Sequence, residues 1–295
     1  MRSWLSILAL LALTLPMAAQ DAAKRSLADP PVEELPTDPK LTKIVLVAGS
    51  TYYKPGEHEY VGGCAVLMDL LRQTPGVFPV LAIDWPKKPE TFAGAKGIVF
   101  LTDGGDKHPF LKDDHFAQIQ KLLDGGVGLV QLHQDADYPT DFGERVRAFA
   151  GAAWEKGYSQ RAHWVSEFKD FPKHDIFNGV KPFKINDGWL WTLRFAKDPK
   201  GVTPLLRTWD PKAKAAKKAD LEDVIAWAFD RPNGGRTFTF TGGHLHASFA
   251  EEGYRRFLVN GILWSAKQDI PATGAKVDLD AATLPKYLKP APAKK

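Results

Sequence analysis

The chain has 295 residues, of which 44% are hydrophobic, and this is enough for one α/β domain with a full core. Its formal net charge is only +4, and eight lysines in one Ala/Lys loop and in the C-terminal tail outnumber that charge. The folded body therefore lacks the excess charge that a nucleic-acid-binding face requires. Cys64 is the only cysteine, which excludes an intramolecular disulfide, and we expect it to be a buried thiol at the start of a helix.

The first 20 residues have the pattern of a secretory signal peptide. Arg2 supplies positive charge, residues 5–15 are apolar, and the small residues Ala18 and Ala19 come before a polar segment. We therefore expect export to the periplasm or to the outside of the cell. No later stretch is long and apolar enough to predict a membrane span. The segment 21–40, rich in proline and charge, is predicted to be an irregular lead-in.

Residues 41–270 are predicted to form a single α/β domain. In the first half, apolar runs typical of buried strands alternate with amphipathic segments typical of helices. Such a βαβ order requires a mostly parallel sheet, with helices on both faces and right-handed crossovers. The predicted strands are 43–48, 78–84, 97–102 and 127–133, and the predicted helices are 62–73, 113–124 and 142–150.

From residue 162 onward the segments are aromatic, interrupted by proline and alternating in polarity. This pattern predicts an antiparallel elaboration of the sheet. Residues 224–229 and 236–240 are separated by Pro-Asn-Gly-Gly and predict a hairpin. A helix over 252–267 is predicted to pack back on the sheet, and the Lys/Pro/Ala-rich tail 271–295 is predicted to be disordered at its end.

Histidines and acidic residues follow the ends of several predicted strands. In open α/β sheets, ligands bind in the crevice beyond the carboxyl ends of the strands. We therefore expect these side chains to share one pocket, with the polar atoms of His58, Asp103, His133 and His244 within roughly 10 Å of a common point. They are His58 and Glu59 after the first strand, Asp103 and His108 after 97–102, His133 at the end of 127–133, and His244 and His246 after 236–240.

The pair His244 and His246 is also a candidate metal site. Alternate residues of an extended segment project to one side, which suits two imidazoles on a divalent metal such as zinc. His58 or His133 would then be the third ligand. A metal-free acid–base site is the alternative. An inward-pointing His246 would favour the metal, and an outward-pointing one would favour the metal-free site.

Five segments, in this order, are similar to motifs of the ThuA-like (trehalose utilisation) family, within the class I glutamine amidotransferase-like superfold. The resemblance extends over about residues 42–268. The segments are Gly-Glu-His-Glu-Tyr at 56–60, Asp-Gly-Gly at 103–105, the glycine–strand–His element at 126–133, Phe-Thr-Gly-Gly-His at 240–244 and Asn-Gly-Ile-Leu-Trp at 260–264.

The resemblance implies a flavodoxin-like sheet and a role in sugar catabolism, with a small-molecule sugar as substrate and an oxidoreductase as a possible pathway partner. It does not imply glutamine amidotransfer, because that chemistry needs a cysteine where this chain has His133. In one place the chain departs from the family. Asp187-Gly188-Trp189 stands where the family usually has Asp-Glu before an aromatic residue.

The leading hypothesis is an exported enzyme that acts on a keto-sugar or glycoside by lyase, hydratase, isomerase or hydrolase chemistry. His133 or His58 would be the base, Glu59 would orient His58 or act itself, and His244 would polarise the substrate oxygen. Gly188 motivates the alternative hypothesis, a noncatalytic sugar-binding or scaffold module. Under either hypothesis the candidate sugar contacts are Asp103, His108, Asp187 and Trp189.

Overall fold

A computed structural model describes residues 29–213 and 220–289 of the chain. The predicted signal peptide lies outside these residues. In chain order the strands are β1 (Thr42–Ala48), β2 (Val77–Ile83), β3 (Gly97–Leu101), β4 (Gly128–Leu132), β5 (Asp137–Tyr138), β6 (Ala152–Glu155), β7 (Gln160–Phe168), β8 (Phe183–Trp191), β9 (Arg194–Phe195), β10 (Val202–Arg207), β11 (Val224–Asp230) and β12 (Arg236–Phe240).

Seven of these strands form the central sheet, in the order β10-β11-β12-β4-β3-β1-β2. The pairs from β12 to β2 are parallel, whereas β10, β11 and β12 pair antiparallel at the other edge. All residues of β3 and β4 are buried, as expected for strands covered on both faces. The predicted α/β fold with a mostly parallel sheet is therefore confirmed.

Helices cover both faces of the sheet and create two hydrophobic layers. On one face, residues of α1 and α5 pack with strand residues such as Val99 and Val130. On the other face, α3 and α4 pack with Phe100 and Leu129. The helices are α1 (Tyr60–Leu71), the one-turn α2 (Pro89–Phe92), α3 (His115–Asp124), α4 (Gly143–Ala150) and α5 (Glu252–Ser265).

The aromatic second half forms the predicted antiparallel elaboration. Strands β7 and β8 make a nine-residue antiparallel pair, from Gln160 opposite Trp191 to Phe168 opposite Phe183. Alternate residues of β7 are buried, and Trp164 joins the main hydrophobic core. This pair lies beside the strand ends, and it forms one wall of the site described below.

The C-terminal tail is ordered as far as residue 289, whereas its end, for which disorder is predicted, lies outside the described residues. Residues Ala281–Tyr287 form a 3₁₀ helix, with Leu284 and Tyr287 buried against the main core. The Tyr287 hydroxyl donates to the Asp69 carboxylate at 2.9 Å, which attaches the tail to α1. The burial of these two apolar side chains therefore orders a segment whose Lys, Pro and Ala composition is typical of disorder. Among the described residues, no helix is long and apolar enough to cross a membrane.

Candidate active site

Three histidines meet at the carboxyl edge of the sheet. His58 follows β1, His133 follows β4 and His244 follows β12, and each offers a ring nitrogen within 4.8 Å of the other two. Their ring centroids are 4.3 to 5.3 Å apart, and all three residues are at most 9% exposed. The convergence that the strand pattern predicts is therefore present for these three residues, which we call the histidine trio.

Burial makes the neutral form of each imidazole more favourable. It lowers the pKa of His58 to about 4, and the nearby His244 ring adds to this effect. Burial also lowers the pKa of His133 well below its usual value, and that of His244 in the same direction. The trio therefore offers neutral imidazoles, each with a lone pair, near neutral pH.

The orientation of His133 is fixed by one hydrogen bond. Its Nδ1 lies 3.0 Å from the carbonyl oxygen of Thr241, so Nδ1 carries the proton and Nε2 carries the lone pair. Nε2 is buried and has no hydrogen-bond partner among the described residues. The backbone φ of His133 is +54°, in the left-handed region that non-glycine residues seldom adopt.

Backbone pairing between two loops brings His58 to His244. The His58 N–H donates to the His244 carbonyl at 2.9 Å, and the His246 N–H donates to the Gly56 carbonyl at the same distance. His58 also has a positive φ of +49°. The loop after β1 and the loop after β12 thus form a short antiparallel bridge that sets the distance between the two rings.

Asp187 holds the loop that carries His244. Its buried carboxylate accepts the N–H groups of Gly243 (3.0 Å), His244 (2.8 Å) and Leu245 (3.2 Å), and it also accepts the Ser248 hydroxyl at 3.3 Å. Burial raises its pKa to about 6, although the backbone donors act in the opposite direction. With no exposed surface, Asp187 does not contact a ligand, so its predicted role in binding sugar is wrong.

Asp103 belongs to a hydroxyl network beside the trio. Its carboxylate accepts hydrogen bonds from Thr51, from Tyr53 at 2.5 Å and from Tyr60 at 3.0 Å. The Tyr60 hydroxyl lies 3.3 Å from His58 Nδ1, so the network extends to the trio. Asp103 therefore has three hydroxyl partners within the protein, and Tyr60 connects it to His58.

A cavity of about 170 Å³ opens over the trio. Its far wall comes from the β7–β8 pair, of which only β8, through Asp187 and Trp189, was predicted to contribute to the site. His163 is exposed on this wall, and its ring centroid lies 4.5 Å from that of His244. The only signal in the sequence was a histidine on an alternating strand. The cavity is lined by His58, His133, Gln134, Arg161, Ala162, His163, Gly188, Trp189, Leu190 and His244.

Gly188 makes room for the contact between His163 and His244. A Cβ atom at this position would lie 2.9 Å from His163 Nε2 and 2.9 Å from both Cβ and Cγ of His244. Atoms at such a distance would have to move. The glycine at position 188 therefore leaves space for two neighbouring histidines.

Four other predicted site residues do not belong to the histidine trio: His246, Glu59, His108 and Trp189. His246 lies outside the trio and packs near the rings of Phe249 and Tyr287, so the metal pair predicted from His244 and His246 is wrong. The Glu59 carboxylate accepts the N–H groups of Gly56 and Lys289, at 2.9 and 3.1 Å, so it is directed to the backbone. The carboxylate near the trio belongs instead to Glu57, 4.0 Å from His244 Nε2.

His108 is fully buried and has a structural role. Its Nδ1 accepts the Phe110 N–H, and its Nε2 lies 3.2 Å from the Asp135 carboxylate. It does not line the cavity, so a contact with sugar is wrong for this residue. The Trp189 indole donates to the Trp164 carbonyl at 3.0 Å and packs in the core, leaving the residue 1% exposed at the cavity wall. Trp189 nevertheless lines the cavity, so its contact with sugar stays a prediction.

The fold and the site together define the class of protein. A mostly parallel sheet with a polar crevice beyond its strand ends is a flavodoxin-like α/β architecture. Residues 45–265 match the ThuA family model, which is described as trehalose utilisation. The chain belongs to this family, and its role is related to carbohydrate.

Solved structures share the fold at low sequence identity. A protein described as ThuA-like from Bacteroides uniformis has 16% identity and a TM-score of 0.53, over 79% of this chain and 94% of its own. A second, from Parabacteroides merdae, has 15% identity and a TM-score of 0.53, over 85% of this chain and 100% of its own. A comparison with curated protein sequences gave no significant match.

Proposed function

We propose that the protein is an exported enzyme that processes a carbohydrate, a keto-sugar or a glycoside, at the histidine trio. One observation carries the proposal: three buried imidazoles from separate strand ends converge beneath a cavity of about 170 Å³. Membership of the trehalose utilisation family supports the substrate class. The signal-like first 20 residues support export.

The size of the cavity favours one sugar ring. Pockets for drug-sized ligands have volumes of about 300–1,000 Å³, and the cavity over the trio is smaller. Its polar lining includes Arg161, His163 and Gln134, which can donate to or accept from sugar hydroxyls. A single terminal ring would enter the cavity, and the rest of a glycoside would extend outward past the β7–β8 wall.

The trio suits proton transfer next to a carbonyl group. When a C–H bond beside a carbonyl breaks, the proton goes to a base and the electron pair moves toward the carbonyl oxygen. The site must therefore supply a proton acceptor and stabilise the developing charge on oxygen. The free lone pair of His133 Nε2 and the adjacent rings of His58 and His244 are in place for such chemistry.

Product analysis by mass spectrometry tests the proposal. The purified protein would be incubated with 3-keto and unoxidised disaccharides, and we expect turnover of at least one of them. His133→Asn keeps a residue that tolerates a left-handed φ, and it should lower the rate by about 10² to 10⁴-fold. His246→Gln is the matched control, because this buried histidine lies outside the trio, and its rate should stay near normal.

Two results would contradict the proposal. One is sugar binding without any product, with and without added divalent metals, which would indicate a noncatalytic sugar-binding module. The other is normal turnover by a folded His133→Asn variant, which would remove the trio from the mechanism.

A further inference from the structure

We infer that His58, His133 and His244 bind one divalent transition-metal ion, with zinc as the best match to the donor set. The inference deepens the proposed function, because it assigns a ligand to the same site. Three nitrogen donors without a carboxylate suit zinc, copper or nickel better than magnesium or calcium, which prefer oxygen. The set matches catalytic zinc sites, in which three protein ligands leave a fourth position open.

The distances suit such an ion. Zinc–nitrogen bonds of about 2.0–2.1 Å in tetrahedral geometry place ligand nitrogens about 3.4 Å apart. In the trio, the three nitrogens lie within 4.8 Å of one another, so small side-chain rotations bring them to that spacing. The fourth position would face the cavity, where a sugar oxygen or a water can reach it.

His133 gives an independent indication of a ligand. Its Nε2 is buried and unpartnered among the described residues, and leaving a buried polar atom unpaired costs about 1–3 kcal/mol. Its Nδ1 interacts with the Thr241 carbonyl, the arrangement that fixes the orientation of metal-binding histidines. An ion at Nε2 would satisfy the remaining atom.

The backbone supports the same conclusion. His58 and His133 both have left-handed φ values, +49° and +54°. Such conformations cost of order 1–3 kcal/mol each, and they tend to cluster where function requires a particular geometry. Here they direct two rings from different loops toward the same point.

Metal binding would change the role of the trio in the proposed chemistry. With their lone pairs engaged, the three imidazoles would hold the positive charge of the ion near the substrate oxygen and could not take the proton themselves. Proton transfer would then fall to another group in the cavity, and His163, which also lines it, has a side chain suited to that role.

Metal binding is measured without any sugar. The full-length protein would be stripped with a chelator and titrated with ZnCl₂ by calorimetry, with metal content determined by mass spectrometry after desalting. We expect one zinc per chain. We expect His133→Asn and His244→Ala each to weaken zinc binding by at least about 100-fold, because each variant removes one of the three ligands. His246→Gln, two residues beyond His244, should stay within about threefold of the parent.

Cobalt substitution provides a second measurement. Co²⁺ in a tetrahedral nitrogen site absorbs strongly in the visible range, so the parent should develop such a spectrum and His133→Asn should not. Circular dichroism would establish that the variants are folded. Absence of zinc and cobalt binding by the parent, or equal loss in His246→Gln, would overturn the inference. Metal binding without turnover of any sugar would instead leave the inference standing and contradict the proposed function.

Discussion

Replacing Gly188 with alanine tests how tightly the site is packed. Gly188 is not among the residues with positive φ, so the backbone itself accepts alanine. At such a position with open space, glycine to alanine would stabilise the fold by about 0.4–1 kcal/mol. Here the new Cβ would meet His163 Nε2 and two atoms of His244, each at 2.9 Å. The contacts therefore predict the opposite sign.

Overpacking of this kind typically lowers the free energy of unfolding by about 1–3 kcal/mol, and we expect a loss in this range for Gly188→Ala. For a domain of this size, 1 kcal/mol shifts Tm by about 2–4 °C, so Tm should fall by roughly 2–12 °C. Because His244 must move, zinc affinity should fall by about 10–100-fold, the usual range for disturbed support of a metal ligand. Thermal unfolding by circular dichroism and calorimetric zinc titration measure the two effects.

A control and a second substitution sharpen the experiment. Val165→Ala changes an exposed residue on the adjacent strand and should leave Tm and zinc affinity unchanged. Adding His163→Ala to Gly188→Ala removes one of the two crowded partners, so Tm should recover only in part. If Gly188→Ala alone kept or raised Tm and left zinc affinity intact, the packing argument would be refuted.

Three further substitutions test residues that stabilise the fold or position the site but do not belong to the histidine trio. Asp187→Asn should lower the free energy of unfolding, measured in urea titrations, by about 3 kcal/mol. The new amide NH₂ is itself a donor and cannot accept from all of the backbone N–H groups that Asp187 now accepts, so zinc affinity should fall as well. Tyr60→Phe leaves the Asp103 carboxylate with one partner fewer and should cost about 1–3 kcal/mol; unchanged stability would contradict the hydroxyl network. Glu155→Gln weakens a buried pairing with two arginines, so unfolding should become easier while turnover per folded molecule stays normal.

Much of the framework could be predicted from local sequence. Apolar runs of five to seven residues, separated by amphipathic segments, required parallel strands, and the observed β1 and β4 agree with the predicted ones within a residue or so. Because parallel strands end at the same edge of a sheet, histidines placed after those runs had to lie near one another. His58, His133 and His244 met for this reason.

Local sequence could not show which residues beside the three histidines also contact them. Glu57 and Glu59 flank the same histidine, yet only Glu57 lies near His244. Glu59 instead accepts the backbone N–H groups of Gly56, in the loop before α1, and of Lys289, in the tail. Likewise His246 follows His244 by two residues, but a 3₁₀ helix begins at His246. The extended geometry that would place both imidazoles on one side therefore ends there.

The sequence by itself determined the sheet, the edge at which the site lies and the family, because strand periodicity and short motifs are local properties. The tertiary structure alone decided that His163 on β7 faces His244, that Gly188 makes room for it and that Asp187 is a buried anchor. These depend on contacts between segments far apart in the chain, such as the hydrogen bond between Asp187 and Gly243, whose positions differ by 56. Side-chain direction at such contacts is set by packing, which no local pattern encodes.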